Sequence, residues 1–596
     1  MSTQPPTRGN AAANDEVPLD RSKLDYSVYL VTGRELLPPG VDFFDSLERS
    51  LRDGHVGMVQ IREKDAETGH FLEIAKRALD ICDKYNVTML INDNLTVALS
   101  LPARVGLHIG QDDIPVAQAR RLLGPNRLLG ISVKSVQQAL DAKRSGADYA
   151  GVGPCYGTQS KKGITADKVI GPRGAREIVE VLGAGASGGG SETRMPCVLI
   201  GGLNQKTAAR TLFGATSSTN APDGIAVISA IVARVDSDVA ARELGEIVSR
   251  FKLGLAASRS SSSLPSESGS ALLYSAFAPH PSLLPPSSPT DAAFYVDRAA
   301  SLLSTLRSSP TGPPLIQTIT SHVSSTLSAN IALAFSASPI MSHEAEEAEE
   351  LSGAVGGLVL NIGTIGPPSR AGMKVAGAAA NRGGKPVVLD PVGCGATNFR
   401  KEVVNEILNH TQVTLLKGNA AELSSISGSA EVAARGVDSG SGQLSDPVAL
   451  VRTLASRERC LVLLSGKTDY LSDGQRVVAC DNGHELLGRI TGSGCALGVM
   501  LAVALASCVH PRVAVDAASP EDGESGGGLG KLMVNHQEDL FVGALMALLS
   551  MTIASEQAAA RPDVRGPGSF IPALIDEIAS ISPDDIKKAA RIKVVA

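Results

Sequence analysis

The sequence predicts two α/β domains in tandem, the first closing as a (β/α)8 barrel. Three observations lead there. Eight short apolar runs recur between residues 27 and 230, with amphipathic stretches between them. A Ser/Pro-rich stretch at 256–289 then interrupts the pattern, and strand and helix signals resume beyond it. At 596 residues the chain is also too long for one core, since a domain takes roughly 150. The eight runs are SVYLVTG (27–33), GMVQIREK (57–64), TMLIND (88–93), VGLHIG (105–110), LLGISV (128–133), YAGVGP (149–154), CVLIGG (197–202) and GIAVISA (224–230). About eight βα units in about 230 residues is the arithmetic of a closed parallel barrel. The same alternation also permits an open doubly wound sheet.

Composition narrows the function class. Lys+Arg 55 against Asp+Glu 61 leaves a net charge of −6, with no basic run suited to nucleic acid or to a membrane surface. No uninterrupted apolar stretch reaches the ~18 residues of a membrane span. Residues 1–24 read as a disordered tail, polar and proline-bearing without a signal-peptide core. The eight cysteines are scattered with no CxxC pair, which points to reduced thiols and a cytoplasmic setting. Residues 25–255 form the first domain, 256–289 a spacer and 290–596 the second domain. Gly/Ser-rich patches at 183–194, 438–443 and 519–530 read as surface-loop insertions.

In a parallel barrel the polar residues that end each run meet at one face, where active sites are built. Gln60, Arg62 and Lys64 alternate at the end of the second run and share a strand face. Two cations there suit a polyanion such as a diphosphate, although a salt-bridged strand end would look the same. Asp93 and Asp112 are hard oxygen donors on two strand ends, apt for Mg2+ beside phosphates; singly, either could be a helix N-cap. Gly201, Gly202 and Ser229 follow the seventh and eighth runs, where barrels of this type grip phosphate.

The motifs VQIREK, LINDN, HIGQDD, GISVKS, DYAGVGPCYGTQSKKG, LIGGLN and GIAVISAI together resemble thiamine phosphate synthase over residues 25–252. The resemblance implies that Gln60, Arg62, Lys64, Asn92, Ser132 and Lys161 hold an aminopyrimidine diphosphate. It implies thiazole phosphate at Thr158, Ser160, Gly202, Ile228 and Ser229, and Mg2+ at Asp93 and Asp112. The GTQSK stretch departs from the family, which more often has proline first and threonine third. Gly157 should loosen that loop, while Ser160 keeps the hydroxyl.

Beyond the spacer come GLVLNIG (357–363), KPVVLDPVG (385–393), QVTLLKGN (412–419) and CLVLLSG (460–466), then TGSGCALGVMLAVALAS (491–507). The last reads as a Gly-rich turn entering a long apolar helix, with N–H groups and a helix dipole aimed at one spot. Cys495 falls in the first helical turn, where the dipole lowers a thiol pKa, so it is a candidate general base. A small buried residue would look alike. Asp390 ends a strand with Thr397 and Arg400 after it, a set that suits Mg2+ and ATP phosphates. No GxxxxGK[ST] occurs, so a P-loop is excluded.

SANIALAFSASPIMSH, LVLNIGT, VVLDPVGCGATNFR, LLKGNAAEL, DNGHELLGRITGSGCALG and RGPGSFI resemble hydroxyethylthiazole kinase, a ribokinase-like enzyme, over residues 290–596. That resemblance implies Cys495 as catalytic base and Asn330, Met341 and Gly492 around the thiazole alcohol. It also implies Arg400 and Ser465 on ATP and Glu422 in the Mg2+ region. Ser465 departs from the family's usual threonine but keeps the hydroxyl. Trimers with sites at subunit borders are expected of such kinases, hence a homo-oligomer. The expected whole is a bifunctional thiamine-biosynthetic transferase acting on small molecules, without nucleic-acid or membrane partners. The alternatives are one catalytic half beside a sensing or scaffolding half, or two generic phosphate-binding domains.

Overall fold

The computed structural model describes residues 21–158, 160, 165, 168–183, 193–260, 291–309, 312–428, 434–435, 438–439, 444–509 and 539–595. Lys161, most of the spacer and most of the three insertions lie outside the described residues. Two compact units divide the chain: Met1–Leu272 with Gly527–Leu529, and Leu273–Gly526 with Gly530–Ala596.

In the first unit eight parallel strands close on themselves in chain order, so the open-sheet alternative is excluded. They are β1 (Val28–Val31), β2 (Met58–Ile61), β3 (Thr88–Asn92), β4 (Gly106–Ile109), β5 (Leu129–Val133), β6 (Tyr149–Val152), β7 (Cys197–Ile200) and β8 (Gly224–Val227). Each lies inside one of the eight apolar runs. The β1–β8 pairing, Val28 with Ile225, closes the ring. Strand alternation sends Val28, Leu30, Val59, Ile61, Ile91 and Leu107 outward against the helices. It sends Tyr29, Met58, Leu90 and Tyr149 into the barrel. The same period carries Gln60, Asn92, His108 and Ser132 inward, toward the C-terminal mouth.

Both domain edges differ from the sequence reading. Arg21–Lys23 form a 3-10 turn, and the Arg21 guanidinium donates to Pro125 O at 2.7 Å and pairs with Asp148 at 3.0 Å. The last residues assigned to the tail are therefore held on the barrel. The helix Ser237–Ser260 also runs through 256–260, so the spacer begins later than its composition suggested. Serines are poor breakers once a helix packed on a barrel is propagating.

The second unit is a nine-stranded sheet with helices on both faces. Its strands are β9 (Leu315–Ile319), β10 (Ser338–Ile340), β11 (Gly357–Asn361), β12 (Val387–Asp390) and β13 (Leu415–Asn419). There follow a separate two-stranded ladder, β14 (Ala434–Arg435) with β15 (Asp438–Ser439), and then β16 (Leu461–Ser465), β17 (Asp469–Ser472), β18 (Val477–Cys480) and β19 (Ile592–Val594). The order is β10-β9-β11-β12-β13-β16-β17-β18-β19. Strands up to β16 pair in parallel, and β17 to β19 are antiparallel. Val359, Leu461 and Leu463 face the helices Ser493–Ser507 and Leu540–Ala560, while Leu358, Leu360, Val462 and Leu464 face the opposite helical layer. Leu540–Ala560 is long and apolar enough to cross a bilayer by composition, yet its most apolar window is 89% buried inside this unit. It is a core helix.

Candidate functional sites

A cavity of about 830 Å3 opens at the C-terminal ends of the barrel strands. Its wall brings together Gln60, Arg62, Lys64, Asn92, Asp112 and Ser132 on one side, and Thr158, Ser160, Gly202, Ile228 and Ser229 on the other. Since β2 ends at Ile61, Arg62 and Lys64 stand just past the strand rather than on it. The Arg62 N–H donates to Thr32 Oγ1 at 2.9 Å, and its guanidinium lies 3.5 Å from Glu35, which aims the cation along the mouth. Gly201 and Gly202 have φ of +89° and +68°, and a Cβ on Gly202 would meet Tyr156 Cβ at 2.7 Å. Only glycine turns the chain there and leaves backbone N–H groups open toward the cavity.

Asp93 follows β3 in the left-handed region, φ +63°, its own N–H held by His108 O at 2.9 Å. It pairs with Lys64 at 3.7 Å. Partial burial and the neighbouring Asp113 carboxylate hold its pKa above the usual range. Asp113, which the sequence reading passed over, accepts from Gly110 N at 2.7 Å. Crowded carboxylates facing a cation-rich wall fit a divalent ion. Among the described residues no group of three or more His, Cys, Asp or Glu side chains forms a metal cage. Mg2+ would therefore be held by carboxylates together with substrate phosphate oxygens.

In the second unit the C-terminal ends of β11, β12 and β13 converge on the start of Ser493–Ser507. Gly492 is its N-cap, φ +87°, and a Cβ there would sit 2.9 Å from Ser324 Cβ. Of the eight cysteines Cys495 alone is not fully buried. Asn361 Nδ2 donates to Cys495 Sγ at 3.1 Å and to Asp390 Oδ2 at 2.9 Å. The Lys417 ammonium pairs with Asp390 at 3.3 Å and lies within 2.8 Å of where a Cβ on Gly494 would stand. A buried cation thus faces the first turn of the helix, whose N–H groups have no intrahelical acceptor.

The two centres lie in halves that each match a known family. The family model for thiamine monophosphate synthase matches residues 28–231, and that for the hydroxyethylthiazole kinase family matches 306–519. A probable thiamine biosynthetic bifunctional enzyme of Schizosaccharomyces pombe is 33% identical, over 95% of this chain and 97% of that protein. The thiamine biosynthetic bifunctional enzyme of Saccharomyces cerevisiae is 31% identical, over 81% and 87%. This chain belongs to the thiamine biosynthetic bifunctional enzymes. The hydroxyethylthiazole kinase of Desulforudis audaxviator is 38% identical over 47% of this chain and 90% of its own length, which falls on a single half.

In the synthase half of this bifunctional enzyme, the anticipated ligand residues line one cavity, except Asp93, which is paired with Lys64 outside the lining, and Lys161, outside the described residues. Its kinase half departs more from expectation. The Cys495 thiol is pushed up rather than down: burial comes first, the Asp390 charge second, and the Lys417 cation only partly offsets them. Burial and a carboxylate on a strand beneath the helix start outweigh the helix dipole at this thiol. Asn330 is exposed on the helix Ser325–Ala334, and Ser324, just ahead of it, is the residue of that segment reaching Cys495. Met341 is half-buried just after β10.

Arg400 donates to Ile362 O and Val392 O at 2.8 Å and to Gly363 O at 2.9 Å, tying together the loops after β11 and β12. Three of its five N–H donors are thereby used on backbone. Ser465 donates to Gly418 O at 3.4 Å. Both Glu422 oxygens accept backbone N–H groups, from Gly393 and Asn419, each at 2.8 Å. Burial and the Asp390 charge push Glu422 up to about 7. It is a buried clasp of two loops rather than an open metal ligand. Asn361 and Lys417 were missed as members of the site. The strand-end motifs LVLNIG and LLKGN carried them, but nothing in either says that both side chains turn toward Cys495.

Proposed function

We propose that the second unit, with a ribokinase-like fold, phosphorylates hydroxyethylthiazole from ATP, and that the barrel joins the product to an aminopyrimidine diphosphate. In the kinase step the alcohol oxygen attacks the γ-phosphorus, its proton passes to Cys495 Sγ, and ADP departs with the bridging oxygen. The Asn361–Cys495–Asp390–Lys417 cluster carries this reading. Asn361 fixes Sγ as an acceptor, and Lys417 with the Gly492–Gly494 turn offers positive charge to the transferred phosphoryl group. Lys417 is better placed for that than Arg400, which remains a support for the loop behind it. Met341 and Gly492 would border the alcohol, and Ser465 the nucleotide.

In the synthase step the pyrimidine–CH2–O bond breaks with its electron pair leaving on diphosphate, and the thiazole nitrogen lone pair forms the new C–N bond. Arg62, Lys64 and Lys161 would stabilise the departing charge, and Gln60, Asn92 and Ser132 would hold the pyrimidine. Thr158, Ser160, Gly202, Ile228 and Ser229 would seat the thiazole phosphate. Mg2+ near Asp93 and Asp112 would supply Lewis-acid stabilisation of diphosphate.

The scattered cysteines, with no CxxC pair in the sequence, support a cytoplasmic setting. Val323 and Leu333, 72% and 60% exposed, support self-association of the kinase units, and the family resemblance makes that assembly a trimer. Purified protein assayed with thiazole, ATP and pyrimidine diphosphate, singly and together, tests the two activities. Asp93→Ala or Asp112→Ala should abolish coupling and spare thiazole phosphorylation. Wild-type coupling in both variants would remove the metal assignment.

A further inference from the structure

Five side chains inside the barrel form one continuous hydrogen-bond chain, and three of them, Tyr29, Tyr149 and His108, have no part in the catalytic reading. Gln60 Nε2 donates to Tyr29 OH at 2.7 Å, and Tyr29 OH meets Tyr149 OH at 2.8 Å. Tyr149 OH meets His108 Nδ1 at 2.8 Å, and His108 Nε2 meets Ser132 Oγ at 2.9 Å. Gln60 and Ser132, its two ends, both line the cavity. The middle is buried: Tyr29 is 1%, Tyr149 0% and His108 8% exposed, with Tyr29 and His108 forming part of the cavity floor. Burial holds both phenols far above their ordinary pKa, so each keeps its proton. The barrel is shaped around this path. His108, Gly130 and Tyr149 are in register across β4, β5 and β6, and a Cβ on Gly130 would overlap the Tyr149 ring at 2.1 Å.

A buried phenol has one proton and no water to receive it, so direction propagates along the chain. Because Tyr29 accepts from Gln60, its own proton goes to Tyr149, and the Tyr149 proton goes to His108 Nδ1. His108 is then the neutral Nε2–H tautomer, donating to Ser132. Ser132 is left with its hydroxyl proton for a ligand, and Gln60 with Oε1 as an acceptor. Reversing the Gln60 amide would require every bond in the chain to reverse.

We propose that Tyr29, Tyr149 and His108 are positioning residues that lock the Gln60 amide acceptor-outward and the Ser132 hydroxyl donor-outward. Together the two ends read the amino edge of the pyrimidine and reject a 4-oxo ring, whose oxygen would face Gln60 Oε1. This rests on the barrel binding an aminopyrimidine diphosphate.

Tyr29→Phe and Tyr149→Phe each cut the chain and leave both ends in place. The full chain is assayed for coupling with the 4-amino substrate and with a 4-oxo pyrimidine diphosphate analogue, using supplied thiazole phosphate. Each variant should lower the amino-over-oxo ratio of kcat/KM at least about tenfold, because a freed Gln60 can turn its NH2 outward. Inhibition by inorganic diphosphate should stay at the wild-type level, which shows a folded barrel with its phosphate end intact. The double variant should be no worse than either single one, since a chain cut once is already cut. An unchanged ratio in both single variants, or additive losses in the double variant, would overturn the lock. Failure of wild-type protein to couple the 4-amino substrate at all would instead refute the reading of the barrel.

Discussion

Cys495 performs its proposed task in an environment that opposes its charge. With the thiol held above its ordinary range, only a small fraction is thiolate near neutrality, and that fraction grows tenfold per pH unit below the pKa. Thiazole kinase kcat should therefore climb with pH from 7 to 9 with a logarithmic slope near 1. Cys495→Ala should lose about 10²-fold or more of kinase kcat and flatten that limb, leaving coupling unaffected. Cys495→Asp should retain part of the rate with its limb moved to lower pH. A wild-type kinase rate in the alanine variant would end the base assignment. A second buried acid gives a stability test. Asp469 is pushed up to about 7 by burial, and its Oδ1 accepts from Gly466 N at 2.9 Å. The folded state binds more protons than the unfolded one between the ordinary Asp pKa, about 3.8, and 7, so this group costs stability increasingly as pH rises through that window. Asp469→Asn keeps the acceptor and removes the charge. It should raise stability by roughly 1–4 kcal/mol at pH 8 and change little at pH 4. Denaturant melts that are parallel for both proteins across this range would contradict the assignment.

Helix starts and strand ends set both sites. The Gly492 turn does more than begin a helix. Its φ of +87° and its contact with Ser324 mean that Gly492→Ala must shift the segment carrying Ser324 or move the first turn away from Lys417. Kinase kcat should fall at least tenfold, with the melting temperature lowered by a few degrees and coupling unchanged. Full kinase activity in this variant would show that the turn is not tightly set. In the barrel, strand alternation explains why Gln60, Asn92, His108 and Ser132 share an interior while Leu30, Ile61 and Ile91 pack outward. A one-residue slip of β2 would exchange those faces.

At the scale of the molecule, the kinase makes what the synthase consumes, yet each unit has its own core. A Ser/Pro-rich stretch within 256–289 joins the two units in sequence, and any flexible chain of about 30 residues has an r.m.s. span of roughly 30 Å. A tether raises the effective concentration of attached groups, not of a small phosphate that diffuses freely. A protease site placed within 261–290 and cleaved should leave thiamine phosphate formation from thiazole at nearly the intact rate. Labelled thiazole phosphate added outside should mix fully with that made internally. Exclusion of the label by intact protein, and its admission by the cleaved pair, would show direct transfer.

The eight barrel strands, the strand ends bearing Asp390 and Lys417 and the turn before Cys495 were legible in the sequence, because each is a local pattern of apolar period, glycine and polar end. The short edge strands β10 and β19 and the β17–β18 hairpin were not, since few residues and sheet partners far along the chain leave little local trace. Side-chain roles divided in the same way. The sequence by itself placed Gln60, Arg62, Lys64 and Asn92 at one barrel mouth, because strand ends in a closed parallel sheet must meet, and the family resemblance added Ser132. Only the tertiary structure decided that Arg400 is held on three carbonyls, that Glu422 clasps two loops, that Cys495 faces Asp390, and that two buried tyrosines join Gln60 to Ser132. Those outcomes depend on which polar atoms become neighbours once water is excluded. Hydrogen-bond satisfaction and desolvation are properties of the packed interior, which no stretch of chain encodes alone.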